Sequence, residues 1–148
     1  SAKYNKCKLC MFGMCDNSNL PNYVEYYQNP TKQKLVDLYS DADIFLFPSL
    51  EEGWGLTPLE AMACGLPTIA TRWSAQTEFG KNEENMMISE PGNLKQMREN
   101  IDIILNNKDL RNNIIENAIK TVEKLNWNNS CAQLEKILKT TCKIEERR

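Results

Sequence analysis

Apolar positions change their spacing along this chain: short unbroken runs fill the first half, and recurrences every three or four residues fill the last third. Cys7 to Met14 (CKLCMFGM) is short and apolar with a glycine near its end, which predicts a buried strand. The polar, turn-rich CDNSNLPN follows. YVEYY, Tyr23 to Tyr27, is rich in β-formers between two prolines and predicts a second strand. Asn29-Pro30-Thr31 opens a helix from Lys32 to Ser40, with Leu35, Leu38 and Tyr39 at helical spacing. Ile44 to Phe47 (IFLF) is uninterrupted and closed by Pro48, as a strand covered on both faces would be.

A second helix is expected from Pro58 to Cys64. Thr57 is placed to cap it, Pro58 suits the first helical position, Gly65 ends it and Pro67 forbids continuation. Thr68 to Thr71 reads as a fourth strand and Met86 to Ile88 as a fifth. Strands alternating with helices imply an α/β fold, a Rossmann-like parallel sheet with helices on both faces. The last third is helical. Leu94, Met97, Ile101, Ile104 and Leu105 form one stripe, and Leu110, Ile114, Ala118, Val122 and Leu125 another. Trp127, Cys131, Leu134 and Leu138 form a third, and all three are expected to face a core.

Composition narrows the function. The 148 residues suit one domain, and 41% hydrophobic with 26% charged is ordinary for a globular protein. A net charge of −2 with both signs interspersed argues against a nucleic-acid partner, and the only basic doublet is Arg147-Arg148. No apolar run approaches a membrane span, and the start SAKYNK predicts no secretory leader. The six cysteines are expected as thiols. Cys7, Cys10 and Cys15 invite a zinc reading, but no histidine exists anywhere, and Cys7 and Cys10 would face opposite sides of a strand, so no metal is expected. Absence of histidine also removes every Ser/His and Cys/His mechanism from these residues.

The stretch richest in chemistry is PSLEEGWGLTPLEAMACGLPTIAT, Pro48 to Thr71. It reads as strand end, glycine-containing loop and helix start. A helix N-terminus presents free N–H groups and a positive dipole end to an anion. Gly53 and Gly55 let backbone approach a phosphate or sugar without a Cβ in the way. In a parallel sheet such a loop opens at the carboxyl ends of the strands, where ligands of open α/β folds bind. Glu52 precedes the glycines. Glu60 lies three residues after Thr57, a spacing that also fits a capping box, Thr57-x-x-Glu60.

This stretch resembles the signature of the retaining GT-B glycosyltransferases called glycosyl transferases group 1, or family four. Their pattern is close to PS-x-x-EGFGL-x-x-LEAMA-x-G-x-P-V, with two glutamates seven residues apart. Glu52 and Glu60 keep that spacing, and Trp54 stands where phenylalanine is usual. LYSDADIFLF, Leu38 to Phe47, matches the element before it, and SAQTEF with Glu78 the element after it. The final helices and Trp127 also fit. The resemblance implies the C-terminal, donor-binding half of a GT-B enzyme that transfers a sugar, with retention, from a UDP-, GDP- or dTDP-sugar. It implies no cofactor and no metal, and a role in polysaccharide, lipopolysaccharide or glycolipid synthesis. The setting it implies is cytoplasmic, with the whole protein peripheral at the inner membrane face. By the same resemblance, Glu52 lies at the reaction centre and Glu60 bonds the ribose hydroxyls. The backbone of Gly53, Trp54, Gly55, Leu56 and Thr57 meets the sugar and distal phosphate, and Tyr27, Gln28 and Asn29 form the base-binding loop.

The resemblance begins one βα unit late, so residues 1–148 are expected to be a single nucleotide-sugar-binding domain truncated on its N-terminal side. The family's Arg and Lys, which clamp the diphosphate, have no counterpart: Lys3, Lys6 and Lys8 stand in the wrong context. The acceptor, a sugar or lipid-linked sugar, would be bound by an N-terminal domain absent here. Catalysis by positioning across a cleft would then fail, so these residues are expected to bind the donor without turning it over. Rivals are a nucleotide-sugar epimerase of GT-B fold, a non-catalytic α/β nucleotide-binding module, and a metal-dependent GT-A enzyme. The last is suggested only by Asp41-Ala42-Asp43, which lies before a strand instead of after one.

Overall fold

A computed structural model describes residues 7–73 and 75–142. Lys3, Lys6 and the Arg147-Arg148 tail lie outside them. The chain divides into two compact units, 1–41 and 42–148, and its strands form one sheet of two and one of three, all parallel.

In the first unit β1 (Leu9–Gly13) pairs in parallel with β2 (Val24–Gln28), and α1 (Lys32–Asp41) follows. The start of α1 is capped, since Thr31 Oγ1 accepts from the Lys34 N–H at 3.2 Å. Tyr39, 3% exposed, packs edge to face on Phe12 at 5.8 Å. The buried first strand expected from sequence is corrected here. Leu9 and Met11 of β1 are about two-fifths exposed, because β1 has a single hydrogen-bonded neighbour.

In the second unit β3 (Phe45–Phe47), β4 (Thr68–Thr71) and β5 (Met87–Ser89) lie in the order β3-β4-β5. The helices are α2 (Leu56–Ala63), α3 (Leu94–Asn106), α4 (Lys108–Lys124) and α5 (Trp127–Cys142). All four residues of β4 are buried. Alternation along a strand sends successive side chains to opposite faces. Ile69 joins Met87, Met97, Ile104 and Ile114 in one core, and Ala70 joins Met62, Trp73, Phe79, Met86, Ile88 and Ala118 in the other. Helices therefore cover both faces of this sheet, and α4 serves both cores through Ile114 and Ala118.

The end of α2 follows its sequence. Gly65 takes φ +72°, its N–H bonds Met62 O and the Leu66 N–H bonds Ala61 O, a Schellman closure. Asn100 on α3 donates to Ile88 O and Ser89 Oγ at the end of β5. Two expectations about cover are corrected. Leu46 of β3 is 36% exposed, and Leu94, Leu105 and Leu125 are also open. The stripe on α5 faces no core: Trp127 is 85% exposed and Leu134 56%, with Cys131 and Leu138 open as well. Helical spacing marks an apolar face but does not state what covers it. No helix among the described residues is long and apolar enough to cross a membrane.

Truncating the two kinds of apolar residue should separate them. Ile114→Ala, at a fully buried position, is expected to cost about 2–5 kcal/mol. Leu134→Ala should stay within about 0.5 kcal/mol of the parent. Urea unfolding of the 148-residue chain measures both, and equal shifts would contradict the burial seen here.

Candidate functional site

The segment between β3 and α2 is fastened to the end of β4. Thr71 Oγ1 donates a short hydrogen bond to Ser49 O and lies 3.4 Å from Phe47 O. Two residues on, the indole of Trp73 packs under the other end of the loop. A Cβ on Gly55 would stand 2.7 Å from Trp73 Cζ2. Trp73 in turn meets Phe47 at 5.3 Å and Phe79 at 6.3 Å, and Trp54, 42% exposed, lies on Phe79 at 5.7 Å.

The two glycines therefore serve different ends. Gly55 holds φ +79° against an indole, so it is fixed by backbone conformation and packing. Gly53 has nothing within 4 Å of a Cβ position, so its missing side chain leaves open space beside the loop. Sequence assigned both to ligand approach; at Gly55 the indole of Trp73 supplies a further reason for glycine.

The start of α2 corrects a second expectation. The helix begins at Leu56 with Gly55 as its N-cap, and no side chain caps it. Thr57 and Pro58 are its second and third residues, so the capping box Thr57-x-x-Glu60 does not form. Pro58 is tolerated because an N–H in the first turn would have no helical partner. The mouth of α2 thus keeps its backbone donors and positive dipole end free of a side-chain cap. Leu56 at that mouth is 66% exposed.

Glu52 is half-buried, and its Oε1 accepts from Ser49 Oγ at 2.9 Å. Glu60 is exposed on the first half of α2. Its charge reaches Cys64, one turn on, whose thiol is pushed above its ordinary range by burial first and by Glu60 second. Glu78 closes a short 3-10 turn, Ala75–Glu78, and is exposed. Trp73 Nε1 and Gln76 Oε1 are buried and have no partner among the described residues.

Tyr27, Gln28 and Asn29 lie in the first unit, at the carboxyl end of β2 and just past it. The Tyr27 hydroxyl donates to Glu25, and the Lys34 ammonium sits 4.8 Å above its ring. That hydrogen bond to Glu25 raises the Tyr27 pKa, and Lys8 together with Tyr27 lowers that of Glu25. Gln28 is exposed, with Nε2 donating to Met14 O at 3.3 Å. Asn29 takes φ 46°, and its N–H bonds Gly13 O. Among the described residues no group of three or more Cys, Asp or Glu side chains could hold a metal ion. Sequence reading passed over Ser49, Thr71 and Trp73. A serine three residues before an acid is a local hydrogen-bonding signal that could have flagged Ser49. The contacts of Thr71 and Trp73 span the fold and leave no local trace.

The chain is similar to known proteins in sequence and in fold. Residues 2–121 match the family described as glycosyl transferases group 1. The chain is 30% identical over 132 residues to the capsular polysaccharide biosynthesis glycosyltransferase CapM of Staphylococcus aureus, covering 83% of this chain and 34% of CapM. It thus spans about a third of the length of that relative. Among solved structures, the C-terminal domain of the group 1 glycosyl transferase LpcC from Francisella tularensis superposes with TM-score 0.62 at 28% identity, covering 71% of this chain and 54% of that one. HepE of Anabaena, solved with UDP-glucose, superposes with TM-score 0.65 at 20% identity, covering 78% of this chain and 33% of HepE, a likeness of fold.

Two substitutions test the site's construction. Gly55→Ala combines a left-handed backbone cost of about 1–2 kcal/mol with roughly 1–3 kcal/mol of overpacking, so it should destabilise by roughly 2–5 kcal/mol. Adding Trp73→Phe should recover part of that loss in urea titrations, and no recovery would refute the wedge. For Cys64 the charged form is the thiolate, which burial and Glu60 both disfavour. Glu60→Gln should therefore move its titration down and speed iodoacetamide labelling at a fixed alkaline pH. Mass spectrometry of the labelled peptide reads the rate, and an unchanged rate contradicts the coupling.

Proposed function

Since the chain belongs to the glycosyl transferases group 1 family, we propose that it is the donor-binding part of a retaining, metal-independent glycosyltransferase. The donor is a nucleotide-diphosphate sugar, and the product belongs to polysaccharide, lipopolysaccharide or glycolipid synthesis. One observation carries this reading: the uncapped mouth of α2 opens directly from a loop that bears a fixed carboxylate on Glu52 and open space at Gly53. An anion gains at such a mouth from amide N–H groups and the helix dipole. CapM, a capsular polysaccharide glycosyltransferase, and HepE with its UDP-glucose support the class of product and of donor.

In this reading the amides of Leu56 and Thr57 meet the distal phosphate, and the backbone of Gly53, Trp54 and Gly55 meets sugar hydroxyls. Glu52 faces the transferred sugar. Glu60 holds the ribose hydroxyls, which asks only for a carboxylate acceptor of two hydrogen bonds. Tyr27, Gln28 and Asn29 receive the base. The chemistry is substitution at the anomeric carbon with departure of a nucleoside diphosphate. The protein's part is to orient the sugar and to spread the charge that develops on the departing phosphate. Residues 1–148 act as one nucleotide-sugar-binding domain that needs an acceptor-binding partner domain, so alone they hold the donor without transferring it.

Calorimetric titration with UDP, GDP and dTDP tests the proposal. One of the three should bind the 148-residue chain with a Kd on the order of 1 mM or tighter. Glu60→Ala should weaken that binding about tenfold, the worth of one hydrogen bond to a charged group. Binding of none of the three, or binding indifferent to Glu60, would refute it. Release of sugar from a donor by this chain alone would refute the assignment as a binding half.

A further inference from the structure

The carboxylate of Glu52 is held by a route that starts in the core. Thr71 ends β4 and is 3% exposed, and β4 is hydrogen-bonded on both sides. The Thr71 hydroxyl donates to the carbonyl of Ser49 and so fixes that residue's backbone. The Ser49 hydroxyl lies 2.9 Å from Glu52 Oε1 and 3.1 Å from Glu51 O. It carries one proton and can serve only one of those acceptors at a time. An ionised carboxylate makes the stronger, charge-assisted bond. A serine in a turn commonly bonds nearby backbone. Here Glu51 O could satisfy the hydroxyl alone, so a bond to the carboxylate adds nothing to closing the turn. What it adds is a defined direction for the Glu52 side chain.

We propose that Ser49 is a positioning residue for Glu52: its hydroxyl, anchored through its own backbone to Thr71, aims the carboxylate at the transferred sugar. The inference rests on the reading that Glu52 faces that sugar. A carboxylate on a solvated loop samples several rotamers, and misplacement by about 1 Å at a reacting centre can cost on the order of a hundredfold in rate. A single hydroxyl bonded to Oε1 removes much of that freedom without adding charge.

The test uses the full-length protein and the donor it consumes from UDP-glucose, UDP-N-acetylglucosamine, GDP-mannose and dTDP-glucose. Ser49→Ala should lower kcat roughly tenfold to a hundredfold and leave the donor KM within about twofold, because orientation at the reacting carbon is lost while binding is kept. Ser49→Thr, which retains the hydroxyl, should return to within about threefold of the parent. In a Glu52→Ala background, Ser49→Ala should change kcat by less than about twofold, since residues acting as one unit are not additive. Thermal unfolding of each variant corrects for the fraction folded. Full additivity of the two substitutions, or a Ser49→Ala loss confined to stability, would overturn the proposal and leave the role of Glu52 intact. Unchanged turnover in Glu52→Ala would remove the role of Glu52 itself, and the proposal falls with it.

Discussion

Thr71, the last residue of β4, and Trp73, just past it, hold the loop before α2 at both of its ends. The first grips by a hydrogen bond to Ser49 O, the second by packing under Gly55. The roles proposed for the loop and for the start of α2 depend on this pair of contacts. They set where α2 begins, which amides stand at its mouth and where Glu52 emerges. The anchor is firm because β4 is the middle strand of its sheet and carries a core on each face. A loop on the surface thereby inherits its position from a strand buried along its whole length.

Charge is organised to match. Several basic side chains of the second unit are engaged locally, as in Lys120 with Glu116, Lys139 with Glu135 and Arg72 with Glu90. These pairs are exposed and add little to stability. At the mouth of α2 the donors the structure shows are backbone amides at the positive end of the helix dipole, with no side-chain cap. That places unusual weight on how the turn at Gly53 to Leu56 is shaped.

Much of this architecture is legible in the sequence, for reasons that differ by element. Thr68 to Thr71 was readable because a run flanked by Gly65, Pro67 and a polar exit has few other local solutions. The end of α2 was readable for the same cause, since glycine followed by proline closes a helix in any context. The start of α2 was not, because Thr57 and Glu60 satisfy a local capping rule that loses to the fold: Gly55, wedged on Trp73, sets the first turn one residue pair earlier. Burial was the least legible property. The stripe on α5 and the apolar residues of β1 carry the right periodicity, yet whether a partner surface exists is not written in their spacing. For the site, the acids and glycines were visible as a motif, whereas the hydroxyls that hold them were visible only as ordinary loop and strand residues.

The three tryptophans occupy three dielectric environments. Trp73 is sealed beneath the loop, Trp54 sits half in solvent on top of it, and Trp127 is 85% exposed at the start of α5. Their emission maxima must therefore spread from blue to red, with a small soluble quencher reaching one indole freely, another partly and the third hardly at all. The chain carries its own optical gauge of the loop, complete with an internal reference for solvent and another for the core.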